Sequence, residues 1–227
     1  MSKLEQRIFD EIPEIINANE PHMALIFVLD TSSSMGGEPI RSLNEGLNRF
    51  KEEVIKDKQT RNILDVAIIE FNNDFQVIQD FSPIGFMKHI NLSATGGTTM
   101  SPAIRKALEM VDERSRFYRR KGTEPYKPWV FLVSDGAPTD NISAVAKEIK
   151  AMEADGKVSF RSLGVPGYDM ATLRQLSGEK VLELEGADFA SFFNWVAKSM
   201  RSVSQSSPGE KPQPVAVEGN VQIPDWD

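Results

Sequence analysis

Short apolar runs alternate with longer amphipathic patterns along most of this chain, and this alternation limits the possible folds more than any other feature. The runs 24–29 (ALIFVL) and 129–133 (WVFLV) are apolar at every position, so both faces of these strands should be covered. Between them, Ile40, Leu43 and Leu47 recur at steps of three and four, which is typical of a helix that packs by one face. The pattern predicts an α/β domain with a mostly parallel sheet and helices on both faces.

One hairpin is expected to interrupt the parallel order. Residues 64–71 (LDVAIIEF) and 75–81 (FQVIQDF) read as strands on either side of the turn residues Asn72, Asn73 and Asp74, which adds one antiparallel edge strand. Two further strands and four further helices are predicted from the same patterns, the strands over 158–165 and 180–185, and the helices from Ser101 onward and over about 143–155, 172–176 and 188–204.

Length and composition predict one domain with short extensions. The chain has 227 residues, which is enough for one full core. We assign 1–20 to an N-terminal helical extension, 21–205 to the domain, and 206–227, which is rich in Pro, Gly and polar residues, to a flexible C-terminal tail. The N-terminus lacks the apolar core of a signal peptide and no run is long enough to span a membrane, so we expect a cytoplasmic protein without membrane contact.

Charge argues against a nucleic-acid partner. The net charge is −7 at pH 7, whereas phosphate binding requires clustered Lys and Arg. The one basic cluster, 114–122 (RSRFYRRKG), is most simply the solvated end of a helix. The chain has no cysteine, which excludes disulfides, thiolate metal sites and thiol nucleophiles.

Three segments rich in oxygen donors are expected to meet at one edge of the sheet. They are DTSSS after the first strand, GGTT before a long helix, and SDG after the strand WVFLV. Ligands of open α/β sheets bind at the carboxyl ends of the strands. Alternate residues of an extended loop point the same way, so Asp30, Ser32 and Ser34 can converge. The segments together offer two carboxylates, from Asp30 and Asp135, and several hydroxyls.

These donors favour a hard divalent cation. Carboxylate and hydroxyl oxygens suit Mg²⁺, Mn²⁺ or Ca²⁺ rather than zinc, and neither His22 nor His89 lies in the three segments. Two carboxylates among neutral hydroxyls leave such an ion incompletely neutralised. The ion should therefore attract a further anion.

The motifs resemble the metal-ion-dependent adhesion site of von Willebrand factor A domains. The resemblance rests on DxSxS at Asp30, a threonine in a glycine loop and SDG at Asp135, and it covers roughly 22–204. The family threonine falls on Thr98, because a small apolar pair follows it five and six residues later, and Thr99 is the alternative. The strings GEPI, GGTT and YKPWVFLVSDGAPTD are most similar to the bacterial cytoplasmic subgroup around the tellurium-resistance protein TerY.

The resemblance implies a Rossmann-like sheet of six strands, one of them antiparallel, and a role for each site residue. Ser32 and Ser34 would ligate Mg²⁺ directly, Asp30 directly or through water, and Thr98 and Asp135 would alternate between direct and water-mediated contact. A partner protein would supply an Asp or Glu to the open position. The TerY-like group further implies a bacterial stress-response or defence system in which the partner is a PP2C-type phosphatase or a protein kinase.

Two other functions stay open. A phosphatase of the haloacid-dehalogenase type also begins with an aspartate after a buried strand, but it needs a second aspartate as general acid where this chain has Ser32. We therefore expect a protein that is not an enzyme. The other alternative is a scaffold that uses a different surface of the same fold.

Overall fold

A mostly parallel sheet runs through the computed structural model, which describes residues 15–17, 19–135, 137–210, 215 and 221–222. Within these residues the strand order is β3-β2-β1-β4-β5-β6-β7, with β3 and β7 antiparallel to their neighbours. The strands are β1 (Met23–Asp30), β2 (Leu64–Phe71), β3 (Phe75–Pro83), β4 (Trp129–Ser134), β5 (Ser159–Gly164), β6 (Val181–Leu184) and β7 (Val221–Gln222).

The predicted fold class is confirmed. Strands β1 to β6 form the expected six-stranded sheet, and β3 is its antiparallel edge strand. The two-residue strand β7 is an addition that the sequence patterns did not predict, because it is too short to show a periodic pattern.

Six α-helices flank the sheet in the described part of the chain. They are α1 (Glu38–Val54), α2 (Lys58–Ile63), α3 (Ser101–Arg120), α4 (Ser143–Ala154), α5 (Met170–Ser177) and α6 (Phe189–Ser204). Helix α2 was not predicted, since its six residues are too few for a helical period; the carboxylate of Asp57 caps it by accepting the amide of Thr60. The other helices lie within two residues or so of their predicted starts.

Apolar residues cover both faces of the sheet. Helices α1 and α6 pack on one face and helices α3, α4 and α5 on the other. On the first face the ring of Phe27 contacts those of Phe50 and Phe193 edge to face. Gly46 lets α1 approach α6 closely, because a Cβ there would lie 2.7 Å from the ring of Phe193. The sheet is thereby buried on both faces, as its continuous apolar strands require.

The strand order fixes where a ligand can bind. Strand β1 lies between β2 and β4, so the chain leaves β1 toward one side of the sheet and later continues toward the other. A crevice forms at this switch point, outside the carboxyl ends of the strands. Asp30 ends β1 and Asp135 directly follows β4, so the fold brings both predicted carboxylates to the crevice.

A buried polar cluster lies at the opposite end of the sheet. Asp65, 1% exposed, accepts hydrogen bonds from Arg114 at 2.8 Å and from the hydroxyl of Tyr118 at 2.5 Å. His22 is also buried here, with Nδ1 3.8 Å from the carboxylate of Asp65 and its ring stacked on Tyr118. Burial and the charge of Asp65 raise the pKa of Tyr118 well above its usual value, so Tyr118 is a neutral donor. His22 directly precedes β1, at the amino-terminal end of that strand.

The two predicted extensions fall largely outside the described residues. Of the segment 1–20, only 15–17 and 19–20 are described, and they form bends and turns. Of the tail 206–227, Ser206 accepts a hydrogen bond from Tyr126, Val215 accepts one from Trp195, and Val221–Gln222 form β7. Within the described residues, no helix combines the length and apolar character needed to cross a membrane.

Candidate metal centre

Asp30 is the most constrained residue of the site. It is fully buried at the end of β1, where Oδ1 accepts the amide of Ser32 at 2.8 Å and Oδ2 accepts the hydroxyl of Ser134 at 2.5 Å. The second contact follows from the parallel register, which pairs Leu29 with Val133 and so sets Ser134 beside Asp30. Two strands therefore fix one carboxylate.

The surroundings of Asp30 favour a nearby cation. Burial raises the pKa of Asp30, hydrogen bonds from Ser134 and Ser32 partly offset this, and the negative charge of Asp135 raises the pKa further. Two carboxylates in one partly buried crevice repel each other unless a positive charge lies close to both. A divalent cation would remove that repulsion, so the residues present fit such an ion.

Ser32 and Ser34 bring two hydroxyls together. Their Oγ atoms lie 3.0 Å apart, with Ser32 buried and Ser34 exposed at the mouth of the crevice. The two hydroxyls lie together as the spacing suggests, although the backbone differs from the expected extended loop. Ser32 is extended but Ser33–Met35 form a 3-10 helix, which turns the chain toward α1.

Thr98 lies in the glycine-threonine loop, 93–100, which packs against the serine loop. The amide of Ser33 donates to the carbonyl of Gly96 at 3.0 Å, and the amide of Thr139 donates to the carbonyl of Thr98 at 2.9 Å. Thr98 is 6% exposed, and its hydroxyl makes no hydrogen bond to any described residue. The hydroxyl of Thr99, the alternative ligand, lies 3.5 Å from that of Thr139.

Asp135 carries an oxygen atom without a partner. Its Oδ1 is buried and accepts no hydrogen bond from the described residues, while its backbone carbonyl accepts the amide of Asp169 at 2.9 Å. A buried carboxylate oxygen without a donor is costly, so a cation is the simplest partner for it. This Oδ1 atom without a hydrogen-bond donor is the strongest local indication of a bound ion.

Asp140 stabilises a different helix from the one suggested by its position. Placed shortly before Ser143, it could cap α4 or support Asp135. Instead its two oxygens accept the amides of Met100 and Ser101, at 2.8 and 2.9 Å, and so cap α3. The hydroxyl of Ser101 does not cap the helix and donates instead to the carbonyl of Asn141. Asp140 thus ties the loop after β4 to the loop that carries Thr98.

The donor set is poor in the ligands of transition-metal sites. Among the described residues, no group of three or more His, Cys, Asp or Glu side chains could hold a metal ion. The site instead combines two carboxylates with serine and threonine hydroxyls, a set that suits a hard cation with an incomplete shell. Such an ion can bind an external anion.

The surface around the site is acidic. The loops at the carboxyl edge of the sheet contain no Lys or Arg over 31–37, 72–74, 93–100, 135–142, 165–169 and 185–188. Their acidic residues are Asp74, Asp135, Asp140, Asp169, Glu185 and Asp188. This distribution disfavours phosphate-rich ligands and favours cations.

Ser134 is the functional residue that sequence reasoning missed. Its motif, SDG, drew attention to the aspartate, yet the serine donates to Asp30. Its position at the end of a buried strand was a usable signal, since a polar residue there must find a partner.

One protein family matches this chain. The model for the von Willebrand factor type A domain matches residues 24–194. Comparison with curated proteins gives no match.

Several solved structures share the fold. The pilus adhesin SpaC from Lactobacillus rhamnosus GG, in its open conformation, has a TM-score of 0.68 at 15% identity over 81% of this chain, which spans 30% of SpaC. The vWF domain of the type V pili tip protein Mfa5 from Porphyromonas gingivalis has a TM-score of 0.63 at 12% identity, covering 84% of this chain and 98% of that one. The manganese-loaded TRAP protein of Plasmodium vivax has a TM-score of 0.54 at 15% identity, over 74% of this chain and 70% of its own. At these identities the likeness shows the fold.

Proposed function

The chain belongs to the von Willebrand factor type A domain family, and from this premise we propose that it is a non-enzymatic interaction module that docks an acidic residue of a partner protein through a bound Mg²⁺ ion. The observation that carries the proposal is the buried Oδ1 of Asp135, which has no donor among the described residues and lies in the same crevice as Asp30. A cation between them leaves a net positive charge for a partner carboxylate.

Five residues would hold the ion. Asp30 and Asp135 would supply carboxylate oxygens, and Ser32, Ser34 and Thr98 would supply hydroxyls. When bound, the ion provides a positive charge that attracts an anionic ligand. Because Asp30 is held at both oxygens by other groups of the chain, its carboxylate is in place before the ion arrives.

Mg²⁺ is the proposed ion, with Mn²⁺ and Ca²⁺ as alternatives. The hard oxygen donors suit all three. The structural neighbour TRAP is described as manganese-loaded, which supports a divalent ion in this fold. Titration with each metal would rank them.

The partner is proposed to be a protein with an exposed Asp or Glu. The absence of Lys and Arg from the surrounding loops supports a protein partner over nucleic acid. Short motifs of this chain resemble the TerY-like group. This resemblance suggests a cytoplasmic location and a bacterial stress-response or defence system. It also suggests a PP2C-type phosphatase or a protein kinase as the partner.

Capture from native lysate would test this function. The full chain should retain a partner in Mg²⁺ and lose it in EDTA, and Asp30→Ala should lose it in both. Once the partner is known, Asp30→Ala and the change of its docking acid to Ala should be non-additive, because both remove the same contact. Retention in EDTA, or strictly additive losses, would show that the partner docks elsewhere.

A second candidate is a scaffold that uses the groove between β3 and α3. This groove has a volume of about 590 Å³ and is lined by apolar residues such as Phe81 and Phe117 and by basic ones such as Arg116 and Arg120. A partner held there would be retained in EDTA and released by Phe117→Asp. An enzymatic function has less support, because Ser32 stands where a phosphatase of the haloacid-dehalogenase type needs a general acid.

A further inference from the structure

The turn between β2 and β3 is hydrogen-bonded to the loop that carries Thr98. The side-chain Oδ1 of Asn73 accepts the amide of Gly97 at 2.7 Å, and the carbonyl of Asn72 accepts the amide of Thr99 at 2.6 Å. These two amides flank Thr98 on either side. The turn therefore holds the backbone before and after a proposed ligand.

A third hydrogen bond, from another loop, holds Thr98 itself. The amide of Thr139 donates to the carbonyl of Thr98 at 2.9 Å. The backbone around Thr98 is thus fixed by two separate loops, while its hydroxyl makes no hydrogen bond to the described residues. Such an arrangement sets the position of a hydroxyl and leaves the hydroxyl available.

The two glycines of the loop make room for Asn73. Gly96 has φ of +76°, and a Cβ there would lie 2.8 Å from Nδ2 of Asn73. Gly97 does not have a positive φ, yet a Cβ there would lie 3.0 Å from Oδ1 of Asn73. A Cβ at Gly96 would displace Asn73, and a Cβ at Gly97 would require Asn73 to shift by a few tenths of an ångström.

The usual roles of asparagine in a turn do not explain the contact between Asn73 and Gly97. Asparagine is common in turns because it tolerates a left-handed backbone and hydrogen-bonds locally. In this hairpin Asn72 and Asp74 make the local contacts, since the amide of Asn72 donates to the carbonyl of Asp74. The side chain of Asn73 instead reaches a loop 24 residues further along the chain.

We propose that Asn73 is a positioning residue for the metal centre: by holding the amide of Gly97 it places Thr98 for the ion and so sets the affinity for Mg²⁺. The inference rests on the proposed function, because it assumes that Thr98 is a ligand. Residues that orient ligands commonly change metal affinity when they are removed.

Calorimetric titration with Mg²⁺ tests the proposal directly. Asn73→Ala should bind Mg²⁺ roughly three- to tenfold more weakly than the wild type, as expected for the loss of one hydrogen bond that orients a ligand. Asn73→Asp keeps an acceptor oxygen and should bind at least as tightly as the wild type. Asn91→Ala is the matched control, because Asn91 is exposed and makes no hydrogen bond to the described residues; its affinity should not change.

Two double-mutant cycles separate positioning from a general loss of stability. Asn73→Ala combined with Thr98→Ala should bind Mg²⁺ no more weakly than the weaker single variant, because both changes act through one ligand. Gly97→Ala should weaken Mg²⁺ binding in the wild type but much less in Asn73→Ala, where the methyl group has space. Urea unfolding should show that all the variants remain folded at the temperature of the titrations.

The outcomes distinguish this inference from the proposed function. If the wild type binds no Mg²⁺, the proposed function fails and this inference fails with it. If the wild type binds Mg²⁺ and Asn73→Ala binds it equally well, only the positioning role is wrong. Additive losses for Asn73→Ala and Thr98→Ala would also overturn it.

Discussion

The hydroxyl of Ser134 donates a hydrogen bond to Oδ2 of Asp30 across 2.5 Å, and this contact joins β4 to β1 at the switch point of the sheet. It lowers the pKa of Asp30 against the effect of burial, which raises it. Ser134 therefore helps to keep the carboxylate ionised without being a proposed ligand.

Ser134→Ala should make Mg²⁺ binding more sensitive to acid. Protons compete with the ion for Asp30, so affinity falls as pH is lowered through the pKa of Asp30, which burial already raises. Loss of the hydroxyl raises this pKa further, so the variant should lose Mg²⁺ at a higher pH than the wild type does. Titrations across pH would show this, with Ser207→Ala, an exposed serine outside the loops of the site, as control. Superimposable pH profiles would contradict it.

Asp30→Ala should abolish measurable Mg²⁺ binding and leave the fold intact. The change removes one of two carboxylates from the site and, in the free protein, also removes a buried charge. Calorimetry should show a loss of more than roughly 100-fold, and circular dichroism should be unchanged. Asp80→Ala, which removes an exposed carboxylate from β3, is the control. Unchanged affinity in Asp30→Ala would exclude the assigned site.

Thr98→Ala and Thr99→Ala should behave differently. Thr98 is buried with a free hydroxyl, whereas the hydroxyl of Thr99 faces Thr139. Thr98→Ala should weaken Mg²⁺ binding severalfold and weaken binding of the captured partner more than that, because family resemblance assigns this ligand to the partner-bound state. Thr99→Ala should change neither affinity. The reverse result would mean that Thr99, and not Thr98, is the metal ligand.

Asp140→Asn should destabilise the protein in a pH-dependent way. Burial alone would raise the pKa of Asp140, but hydrogen bonds from Ser101 and Met100 outweigh it and lower the pKa. A lowered folded-state pKa gives stability that is complete above the unfolded value, about 4, and is lost as pH falls through the folded value. An amide can accept only one of the two amide hydrogens, so urea unfolding at pH 7 should show a loss of about 1 kcal/mol. The difference should shrink below pH 4; a constant difference would contradict the capping role.

Asp65→Asn should destabilise the opposite end of the sheet. The side chains of Asp65 and Arg114 are 1% and 11% exposed, so the change removes the negative charge that pairs with this buried guanidinium. We expect urea unfolding to show a loss of about 3 kcal/mol. Glu109→Ala, which breaks an exposed pair with Lys106, should cost no more than about 0.5 kcal/mol. Equal losses would mean that the buried charge is unimportant.

Local contacts of the site were predictable and non-local ones were not. The hydroxyls of Ser32 and Ser34 lie two residues apart in sequence, and their convergence follows from the local backbone. The contact between Ser134 and Asp30 joins residues 104 positions apart and depends on the register of their two strands. Asp140 shows the same limit, because proximity in sequence suggested α4 and the tertiary fold gave α3.

The fold itself was predictable because its strands are buried on both faces. Continuous apolar runs such as β1 and β4 leave little ambiguity about a covered parallel sheet. Elements too short for a period, such as α2 and β7, gave no signal and depend on tertiary contacts. The sequence therefore predicts the buried strands of the sheet better than it predicts the shortest helix and the shortest strand.

The hydrogen bond between Gly97 and Asn73 has a practical consequence for protein engineering. Surface turns at the edge of a sheet are ordinarily good places to insert an affinity tag or a reporter domain. An insertion between Asn72 and Asp74 would pull Asn73 from the loop and so damage a site that it does not touch. The turn at Gly156, between α4 and β5, lies at the far end of the sheet, and a Cβ there would meet nothing within 4 Å. Insertions should be placed at that end of the molecule.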